Sequence, residues 1–269
     1  MAAITLNPRT VEPIRPTTIV DTFKAEWTKL RTLRSTWFTV GGAVALSVGL
    51  AALICVATVS QWNQMSAKAH ADFDPTSTAL IGVLFAAAIL GSLAVRAITS
   101  EYSSGLIRVT FAAIPGRRGV LAAKAAILSA IAFPVALATN VASFFIGGRI
   151  LAAKGVSMSL SQPGVTKAIV FGAIAVSAVA VLGLGLGGII RRTAGATTAL
   201  LVAIMGSGIF GLALPANIRQ YLPGAALQAV TAVKHSAGLL SPGKGLVVMV
   251  GYAVVSIAVA ARLMASRDA

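Results

Sequence analysis

Seven carboxylates, two histidines and one cysteine are the groups through which this 269-residue chain could do acid–base, metal or nucleophilic chemistry. Their spacing assembles none of it. Cys55 lies inside an apolar run, where a free cysteine serves as a small core residue, and a lone cysteine excludes an intramolecular disulfide. The scattered His70 and His235 cannot complete a ligand set with it, so no metal site is expected. Two glycine-rich stretches imitate nucleotide motifs. Gly238 to Gly245 nearly fits a phosphate-binding loop, but it lacks the hydroxyl residue that would hold Mg²⁺ and follows no strand. Gly183-x-Gly185-x-x-Gly188 fits the dinucleotide fingerprint by letters. It sits in an apolar segment with no strand–helix–strand context, so close helix packing of Gly183 and Gly187 explains it better. No nucleotide site and no catalytic residue is expected in this chain.

One carboxylate stands apart. Glu101 is the only acidic residue between Asp74 and Asp268, and it falls in the stretch Arg96 to Lys124, the loop densest in positive charge. Ser100 to Phe111 reads as a short exposed helix, with Ser100 as N-cap and Glu101 and Tyr102 in the first turn, where a carboxylate suits the helix dipole. Pro115-Gly116 breaks the chain, and Arg117-Arg118 mark its return to a membrane surface. Charge alone makes this an anchoring turn; its length also fits a docking surface.

The elements that must position these residues are spans. With 57% hydrophobic and 11% charged residues, mean hydropathy +0.89 and net charge +15, the composition is that of an integral membrane protein. The positive charge lies between apolar runs, which fits a membrane surface rather than nucleic acid. Residues 1–18 read as a flexible tail containing Pro8, Pro13 and Pro16. In residues 19–36, Val20, Phe23, Trp27 and Leu30 recur at helical spacing, with Lys24, Lys29, Arg31 and Arg34 on other faces. That pattern fits an amphipathic helix lying in the membrane interface. Six apolar segments follow, each near the roughly 20 residues that a bilayer requires. They are Trp37–Val59, Thr78–Val95, Ala125–Gly147, Ala168–Ile190, Ala196–Leu214 and Gly245–Ala261. Of 22 lysines and arginines, 15 fall on the side of both termini and 7 on the other, which makes both termini cytoplasmic and leaves residues 263–269 as a second cytoplasmic tail. No signal peptide is expected, because the first apolar run lies behind a long polar head. The outer segment 215–244 is too long for a turn, and Tyr221, Leu222, Leu227, Val230 and Val233 suit short re-entrant helices. The expected fold is all-α, with an interfacial helix and a six-span domain over 37–262.

No acidic residue or histidine falls inside the proposed spans, which disfavours a proton-driven carrier and intramembrane proteolysis. In the third span, Asn140, flanked by Thr139 and Ser143, either lines a substrate path or hydrogen-bonds a neighbouring helix; Pro134 is the expected kink.

Two blocks carry a resemblance. Glu101-Tyr102-x-Ser104-Gly105-x-x-Arg108 is similar to the E-Y-x-S-G-x-x-R pattern in the first cytoplasmic loop of type-2 ATP-binding-cassette (ABC) permeases. Glu26-Trp27-Thr28-Lys29-Leu30-Arg31-Thr32-Leu33-Arg34-Ser35-Thr36 resembles the segment that precedes the first span in bacterial members. The resemblance implies the permease subunit of a bacterial ABC exporter, multi-pass in the plasma membrane. It makes 19–36 a connecting helix, with Glu26, Trp27, Lys29 and Arg31 as its interfacial residues. It makes 96–124 a coupling loop whose Glu101, Tyr102, Ser104, Gly105 and Arg108 contact a separate cytoplasmic ATPase subunit. ATP and Mg²⁺ then belong to that partner, and a second permease chain, identical or similar, completes the path amid membrane lipid. A membrane scaffold or self-protection protein without turnover, and a secondary carrier, are the rival classes. The apolar spans favour an amphiphilic or hydrophobic cargo.

Overall fold

The computed structural model describes residues 19–106, 117–234 and 238–266, and every element among them is helical. Helix α1 (Ile19–Thr32) is followed by the long α2 (Arg34–Gln61). Leu33, in an extended conformation, breaks the chain between them, and the Trp37 indole donates across the break to the Arg31 carbonyl at 3.0 Å. The amphipathic helix is therefore shorter than expected, and the first span begins three residues earlier, at Arg34. On α1, Val20, Phe23 and Trp27 stay exposed on one stripe, while Leu30 turns inward beside Glu26, one helical turn away.

Two short helices, α3 (Ala67–Asp72) and α4 (Pro75–Ala79), lead to α5 (Val83–Ser103). Helix α6 (Arg117–Leu151) runs unbroken through Pro134, and α7 (Val165–Ile190) follows. The segment expected as the fifth span is divided. Helix α8 (Thr193–Met205) bends by 51° at Gly206 into α9 (Ser207–Phe210). A Cβ at Gly206 would meet the Val202 carbonyl oxygen, so a glycine suits the close approach at this bend. Short α10 (Ala216–Arg219), α11 (Pro223–Thr231) and the long α12 (Pro242–Ser266) complete the chain. Among the described residues five helices are long and apolar enough to cross a membrane, and the bent pair makes a sixth if it is one span.

Helix α7 is the centre of the bundle, packed by α5, α6 and α12. Small residues set the spacing. A Cβ at Gly183 would fall on the Gly91 carbonyl oxygen, and one at Gly187 would lie 2.6 Å from Ile98 Cγ2. The glycines that imitate a dinucleotide fingerprint thus let the α5 and α7 backbones meet, as helices do where lipid offers no hydrophobic drive. Asn140 donates from Nδ2 to the Ile169 carbonyl at 3.1 Å, joining α6 to α7, and Thr139 returns its hydroxyl to Val135. The Asn140 bond is a hydrogen bond to a neighbouring helix, the contact that one of its two expected roles requires; Thr139, Asn140 and Ser143 are all buried in the bundle.

At the end of the bundle away from α1, Asp74 ties the short elements together. Its Oδ1 caps α4 by accepting from the Thr76 and Ser77 amides, and its Oδ2 accepts from the Val233 and Lys234 amides at 2.7 and 2.9 Å. Helix α11, with Leu227 and Val230 buried, packs against α8 and α12 and so fills the space beyond the bend. Tyr221 remains exposed. His235 lies outside the described residues.

Candidate functional site

The two sequence blocks meet in space. Helix α1 brings Glu26 and Lys29, the last turn of α5 brings Glu101, and α6 brings Lys124 to one point. Lys124 Nζ lies 2.6 Å from Glu26 Oε2 and 2.7 Å from Glu101 Oε1. Lys29 Nζ closes the ring, 3.1 Å from Glu26 Oε1 and 3.0 Å from Glu101 Oε1. The four formal charges cancel. Glu26, Glu101 and Lys124 are buried (5, 6 and 3% exposed), whereas the Lys29 side chain is 47% exposed.

A buried ion pair gains little over an apolar one of the same shape, but removing one partner strands the other and costs about 3–5 kcal/mol. The cluster therefore acts as a constraint. While it is closed, α1, the end of α5 and the start of α6 are held to move together. Burial alone would lower the Lys29 ammonium. Its hydrogen bond and charge attraction to Glu101, backed by Glu26, outweigh that and hold it above the ordinary lysine value of 10.5. A cavity of about 200 Å³ adjoins the cluster, walled by Leu30, Leu33, Ala97, Leu106 and Leu128. The carboxylates already bond ammonium groups, and no group of three or more metal-ligating residues occurs among the described residues. The arrangement is suited to mechanical linkage, not to proton transfer or nucleophilic attack.

The local structure corrects two expectations. Ser100 is no N-cap; it lies inside α5 and donates its hydroxyl to the Arg96 carbonyl, as a helix-interior serine does. Helix α5 continues past the expected boundary at Val95 and carries Glu101 into the bundle, so Glu101 is not on an exposed helix. The physical reason is pairing: a carboxylate with two ammonium partners can be buried, and α5 has an apolar face that extends through Ile98. Glu101 bonds within the chain to the amphipathic helix α1, through Lys29.

The other expected site residues scatter around this point. The Tyr102 ring lies 5.0 Å from the Arg191 guanidinium, and the Thr99 and Thr193 hydroxyls are 2.8 Å apart, so α5 is also tied to the turn between α7 and α8. Ser104 returns its hydroxyl to the Ser100 carbonyl. Gly105 ends the helix with φ +72, a conformation that favours glycine, and open space surrounds it. Trp27 and Arg31 are exposed on α1. Arg108 and the second part of the expected 100–111 helix, residues 107–111, lie outside the described residues.

Lys124 is the member that sequence reading missed, because it was counted with the loop charges. Its signal was local: Ala-Ala-Lys124-Ala-Ala places one cation inside an apolar helix, and Glu101 is the only carboxylate nearby in sequence to answer it.

The match to known proteins covers this region. Residues 22–210 match the model of a family described as ABC-2 family transporter protein. Among the curated proteins compared, none matches the chain.

Proposed function

The chain belongs to the ABC-2 transporter family, and we propose that within it this is the membrane-spanning permease of a bacterial exporter powered by separate cytoplasmic ATPase subunits. The observation that carries the reading is the Glu26–Lys29–Glu101–Lys124 ring, which joins both family-like blocks at one end of the bundle. On this reading that end is cytoplasmic. The ATPase subunit docks on the segment that follows Gly105, and its closing and opening on ATP push that segment. The buried ring passes the displacement to α5, α6 and α1 together, because separating α5 or α6 would leave Glu101 or Lys124 unpaired in an apolar setting, and moving α1 away would break two of the ring's four bonds. ATP and Mg²⁺ stay on the partner subunit. Two such chains, identical or similar, enclose the path, and the apolar spans suit a hydrophobic or amphiphilic cargo.

The test is assembly. The full chain, expressed with a candidate ATPase subunit and purified in mild detergent, should bring the ATPase down at one per permease chain in a particle with two of each. ATP hydrolysis in that particle should exceed that of the isolated ATPase. Full transport by the chain alone, in vesicles without any ATPase, would overturn the proposal.

A further inference from the structure

At the opposite end of the bundle lies a second cavity, of about 310 Å³, where the bent fifth span, α10, α11 and the Gly238-Leu239 turn converge. Its walls carry Ser207, Gly208, Arg219, Ala225, Gln228 and Gly238, and among the described residues no carboxylate lines it. Among the described residues Arg219 is its only cation and has neither an ion pair nor a side-chain hydrogen bond. The arginine is nevertheless held in place. A Cβ at Gly211 would lie 2.9 Å from Arg219 Cγ, and one at Gly238 would lie 3.5 Å from Nη2, so two glycines sandwich the stem and the guanidinium. An unpaired guanidinium fixed beside an amide and a hydroxyl, in a cavity without acids, is a receptor for an oxyanion; its fork matches the geometry of a phosphate. The setting suggests what the phosphate is attached to. The adjoining segment turns Ile209, Phe210 and Leu212 outward, 74, 59 and 78% exposed, and a chain of CH₂ groups could lie along them.

We propose that this cavity is a binding site for the phosphate of an anionic phospholipid, held by Arg219 with Gln228, with its acyl chains lying against Ile209, Phe210 and Leu212. The site goes beyond the permease reading and does not depend on it, since it would bind lipid whether or not the chain couples to an ATPase. The same oxyanion chemistry could also be met by free phosphate, and the experiment separates the two.

The full chain in mild detergent is offered phosphatidylglycerol and the diacylglycerol with the same acyl chains, which lacks the phosphate, and bound lipid is counted by native mass spectrometry. Wild type should prefer phosphatidylglycerol by at least about tenfold, the scale of one charge-assisted hydrogen-bond pair. Arg219→Gln should lose that preference. Gly208→Leu should lose it too while keeping the arginine, and it guards against a folding defect in the first variant, because a Cβ at Gly208 meets open space. Arg262→Gln, an exposed arginine near the far end of α12, should retain it. If millimolar inorganic phosphate strips the lipid and by itself stabilises wild type but not Arg219→Gln, the oxyanion site stands with free phosphate as its ligand. An undiminished preference in both Arg219→Gln and Gly208→Leu, or an equal loss in Arg262→Gln, would overturn the proposal.

Discussion

Removing Lys124 should do more harm than removing any other single lysine. Lys124→Ala leaves Glu26 and Glu101, both buried, sharing only the half-exposed Lys29. A loss of about 3–5 kcal/mol is expected, read as reduced yield and a lower unfolding temperature in detergent. Lys29→Met should cost at most about 1 kcal/mol, since water screens that side of the ring. The sign of its pH dependence follows from the raised lysine. Stabilisation from such a group is present below the unfolded pKa and disappears as pH rises through the folded one. The gap in unfolding temperature between wild type and Lys29→Met should therefore be steady at neutral pH and narrow above 10.5. A gap that widens with alkaline pH would contradict the pairing.

Elements were legible where apolar periodicity alone decides them. The spans over Arg34–Gln61 and Val165–Ile190 and the amphipathic α1 follow from composition and spacing. The glycines in α7 were readable as packing residues because a span cannot host a strand–helix–strand motif. What was not legible was where α5 ends. Ser100-Glu101 has the residue types of a helix start, and only the partners Lys29 and Lys124, 72 and 23 positions away, make burial of Glu101 possible. Local sequence carries no record of a contact at that separation. Gly206, Gly208 and Gly211 crowd the segment that bends, but the packing of α11 against α8 and α9 is a contact between segments that local sequence does not record. The α5–α7 contact yields a prediction at this scale. Gly183→Ala places a methyl against the Gly91 carbonyl oxygen and should destabilise the bundle by about 1–3 kcal/mol. Gly119→Ala, where a Cβ meets nothing within 4 Å, is its neutral counterpart. Equal unfolding temperatures for the two variants would remove glycine packing as the basis of the spacing.

For the whole molecule, α1, the end of α5, the start of α6 and the turn between α7 and α8 share one end, while α3, α4 and α11 share the other. Positive charge favours the first end as cytoplasmic. In a chain with Cys55 replaced, a cysteine at Ser66 should label from outside intact cells with an impermeant reagent, and one at Ser103 should not; labelling at Ser103 would reverse the orientation. The central claim is that the buried ring carries ATPase motion into the spans. It is tested most directly by the neutral double variant Glu101→Gln/Lys124→Met, which strands no buried charge and leaves Glu26 paired with Lys29. Stimulation of the ATPase by the permease is compared in vesicles containing the assembled complex. The account predicts a folded variant that still binds the ATPase but stimulates it about tenfold less, the effect of ~1.4 kcal/mol of lost coupling. A double variant that assembles and stimulates ATP hydrolysis as wild type does would contradict it.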